Sequence, residues 1–107
     1  MIYIFSAFYA EAKNIIDHYG LKKEKSPEMV RFDVFANESI RLVITGVGEI
    51  NAAAAVSNIG GAYGISPDDE ILNMGCGAGF SSDICLGSIF LGNKLTAQMT
   101  GRTFYPD

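Results

Sequence analysis

One carboxylate, Glu11, stands where a side chain that activates water would be expected. It closes the first candidate segment, Ser6-Ala7-Phe8-Tyr9-Ala10-Glu11, at the end of a strand predicted over the apolar, aromatic and β-branched residues 2–8. Glu11 falls in the first turn of a helix predicted over residues 9–19. A carboxylate that faces a ligand crevice can act as a general base on water. An acidic residue in a first turn can also do no more than complement the helix dipole. The residue type alone leaves both interpretations open.

A second candidate segment is Thr45-Gly46-Val47-Gly48-Glu49-Ile50-Asn51, in which a pair of glycines lies between a predicted strand and a predicted helix. Glycines in such a turn allow the backbone to approach a ligand closely, with Val47 beside it. The segment is not a GxGxxG motif, because Asn51 stands three residues after Gly48, and no Walker Lys-Ser/Thr pair follows. A plain tight turn is the alternative.

The third candidate segment, residues 73–80, contains three glycines within Gly-Cys-Gly-Ala-Gly at residues 75–79, directly after a strand that we expect to be buried. Such a turn can wrap backbone around a planar ligand without obstruction from side chains, or it can be a strained connection. Cys76 is a poor candidate for a nucleophile, because its activation needs a base and the single histidine, His18, lies in the first predicted helix. Cys85 is expected to fill space.

The elements that must position these segments alternate between strand and helix. We predict strands and helices in the order β-α-β-β-α-β-β, which indicates an α/β sheet with helices on its faces. A charged segment at residues 21–29 is expected to be a solvated loop. All three candidate segments follow the carboxyl ends of strands, which is where open α/β sheets bind ligands. The predicted strands are 2–8, 30–36, 40–45, 70–74 and 87–98, and the predicted helices are 9–19 and 49–58, the second ended by glycines 60, 61 and 64.

Composition narrows the class of protein. The 107 residues fit one domain, and 49% hydrophobic with 19% charged residues is typical of a globular chain. A net charge of −4 without a basic cluster argues against nucleic acid or an anionic membrane as a partner. No apolar run approaches the roughly 18 residues of a membrane span, and the N-terminus does not resemble a signal peptide. Two cysteines without CxxC spacing and one histidine predict no metal site, and we expect reduced thiols and a cytoplasmic location.

The three segments together resemble the N-terminal half of the purine/uridine phosphorylase superfamily, nearest its methylthioadenosine/S-adenosylhomocysteine nucleosidase branch. IYIFSAFYAEAKNI is similar to the branch's first strand and its Gly-Ala-Met-Glu-Glu-Glu-type turn. TGVGEINAAAA resembles its Ser-Gly-Ile-Gly-Lys-Val-Ala-Ala-Ala segment, and ILNMGCGAGF resembles its Ile-Asn-Thr-Gly-Ser-Ala-Gly-Gly turn. LGSIFLG is similar to Val-Gly-Asp-Ile-Val-Val. The order and spacing match across nearly all of the chain.

This resemblance implies a fold and a reaction. The fold would be an α/β structure with a mixed, twisted, partly barrel-like sheet flanked by helices, of which residues 1–107 form the N-terminal half. The reaction would be cleavage of a nucleoside's N-glycosidic bond through an oxocarbenium-like transition state, by water in nucleosidases and by phosphate in phosphorylases. If the protein is a phosphorylase, phosphate would be its co-substrate. No other cofactor is expected.

The resemblance also implies roles for individual residues. Glu11 falls on the glutamate that positions the attacking water, and Phe8, with Ala7 before it, falls on the apolar lining of the ribose. Asn73 falls where purine phosphorylases carry a phosphate-binding arginine and nucleosidases carry asparagine, which favours hydrolysis. The remaining substrate-binding positions lie on the two glycine turns: Val47, Gly75, Cys76, Gly77 and Ala78.

Three departures from the family pattern bear on activity. Cys76 replaces a Ser or Thr and is a weaker hydrogen-bonding group, and Ser88 replaces an Asp. Family members are also about twice as long, and their second half supplies the glutamate that holds the ribose hydroxyls and the aspartate that protonates the purine. We therefore expect a homo-oligomer or a missing C-terminal half to cover the open sheet. A non-catalytic nucleoside-binding or self-associating module, and a flavodoxin-like domain binding another phosphate ligand, are the alternatives.

Overall fold

The computed structural model describes residues 1–106, which fall into a compact unit at Met1–Gly77 and a second unit that begins at Ala78. The first unit contains five strands and two helices. The second contains one two-stranded antiparallel ribbon. The elements are β1 (Ile2–Ser6), α1 (Tyr9–Tyr19), β2 (Lys22–Lys23), β3 (Asp33–Ala36), β4 (Ile40–Ile44), α2 (Glu49–Tyr63), β5 (Glu70–Met74), β6 (Leu95–Thr96) and β7 (Thr103–Phe104).

The sheet of the first unit is mixed and has the order β2-β3-β4-β1-β5. β1 lies in the middle and runs parallel to β4 and β5, whereas β2-β3 and β3-β4 pair antiparallel. Ser6 at the end of β1 is paired with Ile44 and Met74, so the carboxyl ends of all three parallel strands meet at one edge. The prediction of an α/β fold is confirmed at this level.

The two helices cover opposite faces of the sheet, because successive side chains of β1 point to opposite sides. Ile4 packs in one buried cluster with Ala12 and Ile16 of α1. Tyr3 and Phe5 pack in the other cluster, which contains buried residues of α2. The result is a three-layer arrangement in which β1 is buried on both sides.

Helix α1 has the predicted bounds, but α2 does not end where the glycines predicted. α1 ends at Gly20, which adopts a left-handed conformation with φ 63°. α2 continues through Gly60 and Gly61 to Tyr63, and the left-handed residue that ends it is Gly64 with φ 67°. A glycine inside a helix costs about 1 kcal/mol relative to alanine, and Tyr63 packs against the α2-side core and offsets that cost.

Three strand expectations and one loop expectation need correction. The strand predicted over 30–36 is restricted to β3, and part of the charged segment 21–29 forms β2, which pairs with β3. β5 is largely exposed rather than buried, because no further strand pairs with it among residues 1–106. The strand predicted over 87–98 is wrong except for β6. An apolar run becomes a strand only where a neighbouring strand supplies its hydrogen bonds.

None of the helices in residues 1–106 combines the length and the apolar character that crossing a membrane requires.

Candidate functional site

The loops after β1 and β4 are tied together at the carboxyl edge of the sheet. The Thr45 amide donates a hydrogen bond to the Ser6 carbonyl at 2.8 Å, and the Gly46 amide donates to the Ala7 carbonyl at 3.1 Å. Both bonds continue the β1-β4 ladder beyond the ends of the strands. Ala7, a predicted site residue, is therefore held beside the glycine turn that contains Val47.

Glu11 lies in the first turn of α1, as predicted, and its Oε2 atom is buried with no hydrogen-bond partner among the residues that the structure describes. A Cβ added at Gly75 would lie 3.9 Å from this oxygen. The carboxylate therefore lies beside the start of the third glycine segment, and the structure brings these two predicted site residues together. A buried polar oxygen without a partner costs free energy, which makes it exceptional in a folded protein.

The glycine turn before α2 needs its glycines for conformational reasons. Gly46 and Gly48 have φ angles of 83° and 94°, which side chains rarely adopt. A Cβ on Gly46 would lie 3.2 Å from Asn51 Nδ2, and this nitrogen donates to the Val47 carbonyl at 2.7 Å. The hydrogen bond from Asn51 therefore holds this tight turn in one conformation. The Val47 side chain is exposed.

The amino ends of both helices point to this edge without side-chain caps. Phe8 is the N-cap residue of α1, Gly48 is that of α2, and neither makes a side-chain capping bond. The first amides of a helix have no partners within the helix, so uncapped ends present hydrogen-bond donors. Phe8 is half exposed beside them. The edge therefore offers amide donors, an apolar ring and the Glu11 carboxylate.

The third segment is exposed from Gly75 onward. Gly75, Cys76 and Gly77 are all exposed, and Cys76 is a free thiol. Ala78, the remaining predicted binding residue, is exposed and belongs to the second unit. Cys85 is also free and exposed, so the expectation that it fills space is wrong.

Ser6 and Thr45 open the first two candidate segments, but the sequence analysis assigned them no role, and in the structure they hold the loops of this edge. Both are buried. Ser6 Oγ lies 3.5 Å from the Phe8 carbonyl, and Thr45 Oγ1 donates to the Gly46 carbonyl at 2.7 Å. The available signal was a polar residue at the carboxyl end of each apolar strand.

The amino edge of the sheet carries a different group of polar side chains, centred on Arg41 of β4. Its Nη1 donates to the Tyr3 hydroxyl at 3.1 Å, and its Cζ lies 4.1 Å from the centroid of the Tyr63 ring. Its Nε lies 3.8 Å from Glu24 Oε2, which accepts a 2.5 Å hydrogen bond from the Tyr63 hydroxyl. Burial, followed by this bond to Glu24, raises the pKa of Tyr63. We call these four residues the Arg41 cluster.

Within residues 1–106, no three His, Cys, Asp or Glu side chains converge in the way a metal ion requires. Comparison with known protein families, curated proteins and solved structures finds no match for this chain. The function of this chain is therefore inferred from the geometry of the carboxyl edge.

Proposed function

We propose that this chain is the N-terminal part of a nucleosidase, related to the purine/uridine phosphorylase superfamily, in which the Glu11 carboxylate positions a water molecule for attack on the anomeric carbon of a nucleoside. The observation that carries the proposal is the buried Oε2 of Glu11, which lies beside Gly75 and has no hydrogen-bond partner within residues 1–106. An acceptor in that state can take a hydrogen bond from water and orient its lone pair.

The surroundings of Glu11 suit this chemistry. In an oxocarbenium-like transition state, positive charge develops on the ribose, and a nearby carboxylate lowers the energy of that charge. Phe8 offers an apolar surface to the sugar, and the turn of Gly75 and Cys76 offers backbone without obstruction. The substrate would then lie over the carboxyl ends of β1, β4 and β5.

Water is favoured over phosphate as the nucleophile because the edge lacks cations. Residues 6–11, 45–51 and 73–77 contain no Lys or Arg, whereas proteins commonly bind phosphate through these side chains. Asn73 is uncharged at the position where the resemblance would place a phosphate-binding arginine in a phosphorylase. The resemblance favours a small nucleoside as the ligand, and the proposed hydrolysis uses no cofactor.

The proposal includes a division of labour. This chain supplies the water-positioning carboxylate, whereas the acid that protonates the leaving base and the group that holds the ribose hydroxyls come from a C-terminal half. The complete fold would extend the open sheet into the partly barrel-like form of the superfamily, in a cytoplasmic, oligomeric enzyme. Without the acid, we expect the rate of the chain alone to fall by about 10² to 10⁴-fold.

Binding of a charged transition-state analogue tests the role of Glu11 without requiring turnover. The probe is a methylthioadenosine analogue with a protonated pyrrolidine in place of the ribose, and calorimetry compares it with methylthioadenosine. We expect the cation to bind about tenfold more tightly, because opposite charges at close range attract. Glu11→Gln should remove this preference.

Glu49→Gln is the matched control, because Glu49 also lies in the first turn of a helix at this edge but is exposed. It should retain the preference for the cation. No binding of either compound at millimolar concentration would contradict the proposal. In a parallel assay, base release that occurs only with phosphate would exclude water as the nucleophile, and release at an ordinary enzymatic rate would exclude the division of labour.

A further inference from the structure

The turn formed by Gly46, Val47 and Gly48 has a flexible sequence and a defined conformation. Gly46 and Gly48 have φ angles of 83° and 94°. Glycine adopts many backbone conformations at similar free energy, so the peptide units on either side of Val47 could each take more than one orientation. A single orientation of these peptide units therefore requires contacts from outside the turn.

Two side chains supply these contacts, one to each carbonyl of the turn. The hydroxyl of Thr45, a buried residue, donates to the Gly46 carbonyl at 2.7 Å. The side-chain amide of Asn51 donates to the Val47 carbonyl, also at 2.7 Å. A hydrogen bond of this kind favours the bonded conformation by about fivefold. The two bonds together select one arrangement of the turn.

The orientation of these carbonyls determines the orientation of two amides. The C=O and N–H groups of a trans peptide unit point in opposite directions. The Val47 amide therefore points away from the Thr45 hydroxyl, and the Gly48 amide points away from the Asn51 side chain. Neither amide donates to a backbone carbonyl within residues 1–106. Both amides are therefore available as donors to a ligand.

The turn lies beside the segment that leads to Glu11. The Gly46 amide donates to the Ala7 carbonyl at 3.1 Å, four residues before that carboxylate. Val47 exposes 59% of its side chain at this point. The turn, its two available amides and the Glu11 carboxylate therefore belong to the same edge of the sheet.

We propose that Asn51 is a positioning residue for substrate binding: its hydrogen bond keeps the Val47 and Gly48 amides available to the hydroxyl oxygens of a bound nucleoside. The inference rests on the proposed function, because it takes the ligand of this edge to be a nucleoside. Asn51 acts through the turn and does not contact the substrate. Its loss weakens binding of neutral and cationic ligands equally, whereas loss of the Glu11 charge changes the preference between them.

Asn58 provides a matched control, because it is a second asparagine of α2 that holds a loop. Its Nδ2 donates to the Met29 carbonyl at 2.9 Å, and its Oδ1 accepts from the Arg31 amide at 3.0 Å. Seven residues of α2, about 10 Å along the helix axis, separate it from Asn51. Removing either side chain costs backbone contacts, but only the loss of Asn51 releases the glycine turn.

Calorimetry with methylthioadenosine and its protonated pyrrolidine analogue measures the effect on binding. Asn51→Ala should weaken binding of both compounds by about fivefold, because a smaller fraction of the chains has the competent turn. The preference for the cation should remain. Asn58→Ala should leave both affinities unchanged, although its urea midpoint should fall at least as far as that of Asn51→Ala.

Asn51→Asp separates positioning from helix stability. An acidic residue in a first turn interacts favourably with the helix dipole, yet a carboxylate has no hydrogen to donate to the Val47 carbonyl. Asn51→Asp should therefore unfold at a higher urea concentration than Asn51→Ala and bind neutral methylthioadenosine no better. A purely structural role would instead restore binding together with stability.

Nuclear magnetic resonance of the unmodified, ¹⁵N-labelled chain tests the two amides directly, so a variant that fails to fold does not prevent a decision. Methylthioadenosine should move the Val47 and Gly48 amide signals downfield as they donate to the ligand. Binding that leaves both signals in place would overturn the inference.

Two calorimetric results would also overturn it while leaving the proposed function intact. One is binding by Asn51→Ala equal to that of the unmodified chain. The other is an equal weakening in Asn58→Ala, which would assign the effect to stability. No binding of either compound by the unmodified chain would instead contradict the proposed function, and this inference would fail with it.

Discussion

The amino and carboxyl edges of the parallel strands each carry a partly buried charge, Arg41 and Glu11, and the two charges have different surroundings. At the amino edge, the Arg41 guanidinium donates to the Tyr3 hydroxyl, lies over the Tyr63 ring and approaches Glu24. At the carboxyl edge, Glu11 Oε2 has no partner among the described residues. Arg41 Nε is, like Glu11 Oε2, buried without a hydrogen-bond partner among residues 1–106. The Arg41 guanidinium nevertheless has Tyr3, Tyr63 and Glu24 around it, whereas Glu11 forms no ion pair within those residues.

This difference separates a charge that stabilises the fold from one that is available to a ligand. Neighbouring groups stabilise a compensated ion. A buried carboxylate without a partner, in contrast, lowers the stability of the fold until a ligand binds to it. Functional sites often retain groups that lower stability. The comparison therefore predicts that removing the charge of Arg41 lowers stability, whereas removing the charge of Glu11 raises it.

The largest effect is expected from Arg41→Met, which keeps the apolar stem and removes the charge. Glu24 then loses its cation and Tyr63 loses the guanidinium over its ring. We expect the free energy of unfolding to fall by about 2 kcal/mol, less than for a fully buried pair because both side chains retain some exposure. Urea denaturation measures it. Lys25→Met, at an exposed position, is the control and should change stability by less than about 0.5 kcal/mol. An equal loss in both variants would show that the contacts of the Arg41 cluster do not stabilise the fold.

Gly46→Ala should give the next largest effect. Its φ of 83° and the 3.2 Å approach to Asn51 Nδ2 both oppose a side chain, and we expect a loss of about 1–2 kcal/mol. Gly61→Ala, in α2 with open space around it, should instead stabilise the chain by up to about 1 kcal/mol. Thermal unfolding compares the two, and a stabilising Gly46→Ala would show that the turn is not constrained.

Glu11→Gln should raise the free energy of unfolding by about 1 kcal/mol, because a neutral amide is cheaper to bury than a carboxylate without a partner. Glu49→Gln should lower it by a few tenths of a kcal/mol through the lost interaction with the helix dipole. The opposite signs are the decisive feature of this pair. If Glu11→Gln destabilises the chain, the carboxylate has a structural partner and the contrast between the two edges fails.

The smallest effect concerns the pH dependence of the Arg41 cluster. Burial and the bond to Glu24 raise the pKa of Tyr63 above its ordinary value of 10.0. The unfolded chain therefore loses this proton first, so stability is complete below pH 10 and falls as the pH rises through the folded-state pKa. Comparing urea midpoints at pH 9 and pH 11 measures this. Tyr63→Phe should show a shallower fall, and an unchanged slope would contradict the assignment to Tyr63.

Local sequence patterns were sufficient to predict the elements that carry the site. Ala12, Ile15, Ile16 and Tyr19 share one helix face, and α1 has the predicted bounds. The polar-apolar boundary after β1 located Glu11, and the glycine spacing located the two turns. Residues 70–74 were predicted as a strand with the bounds that β5 has.

Long-range packing decided what local patterns did not. Gly60 and Gly61 remain helical because Ile59 and Tyr63 beside them pack into the α2-side core. Residues 87–94 have the composition of a strand, but composition does not supply a partner for their backbone. Within residues 1–106, Glu11 Oε2 lies beside Gly75 without a hydrogen-bond partner. This arrangement depends on how two distant parts of the chain meet, so no local pattern contains it.

The position of β1 has a consequence for the order of folding during synthesis. Ile2 pairs with Ile40 and with Glu70, so β1 leaves the ribosome before both of its neighbouring strands and must wait for them. Contacts between residues far apart in sequence form slowly. The β3-β4 hairpin can close early, and we expect the carboxyl edge to assemble only when β5 joins.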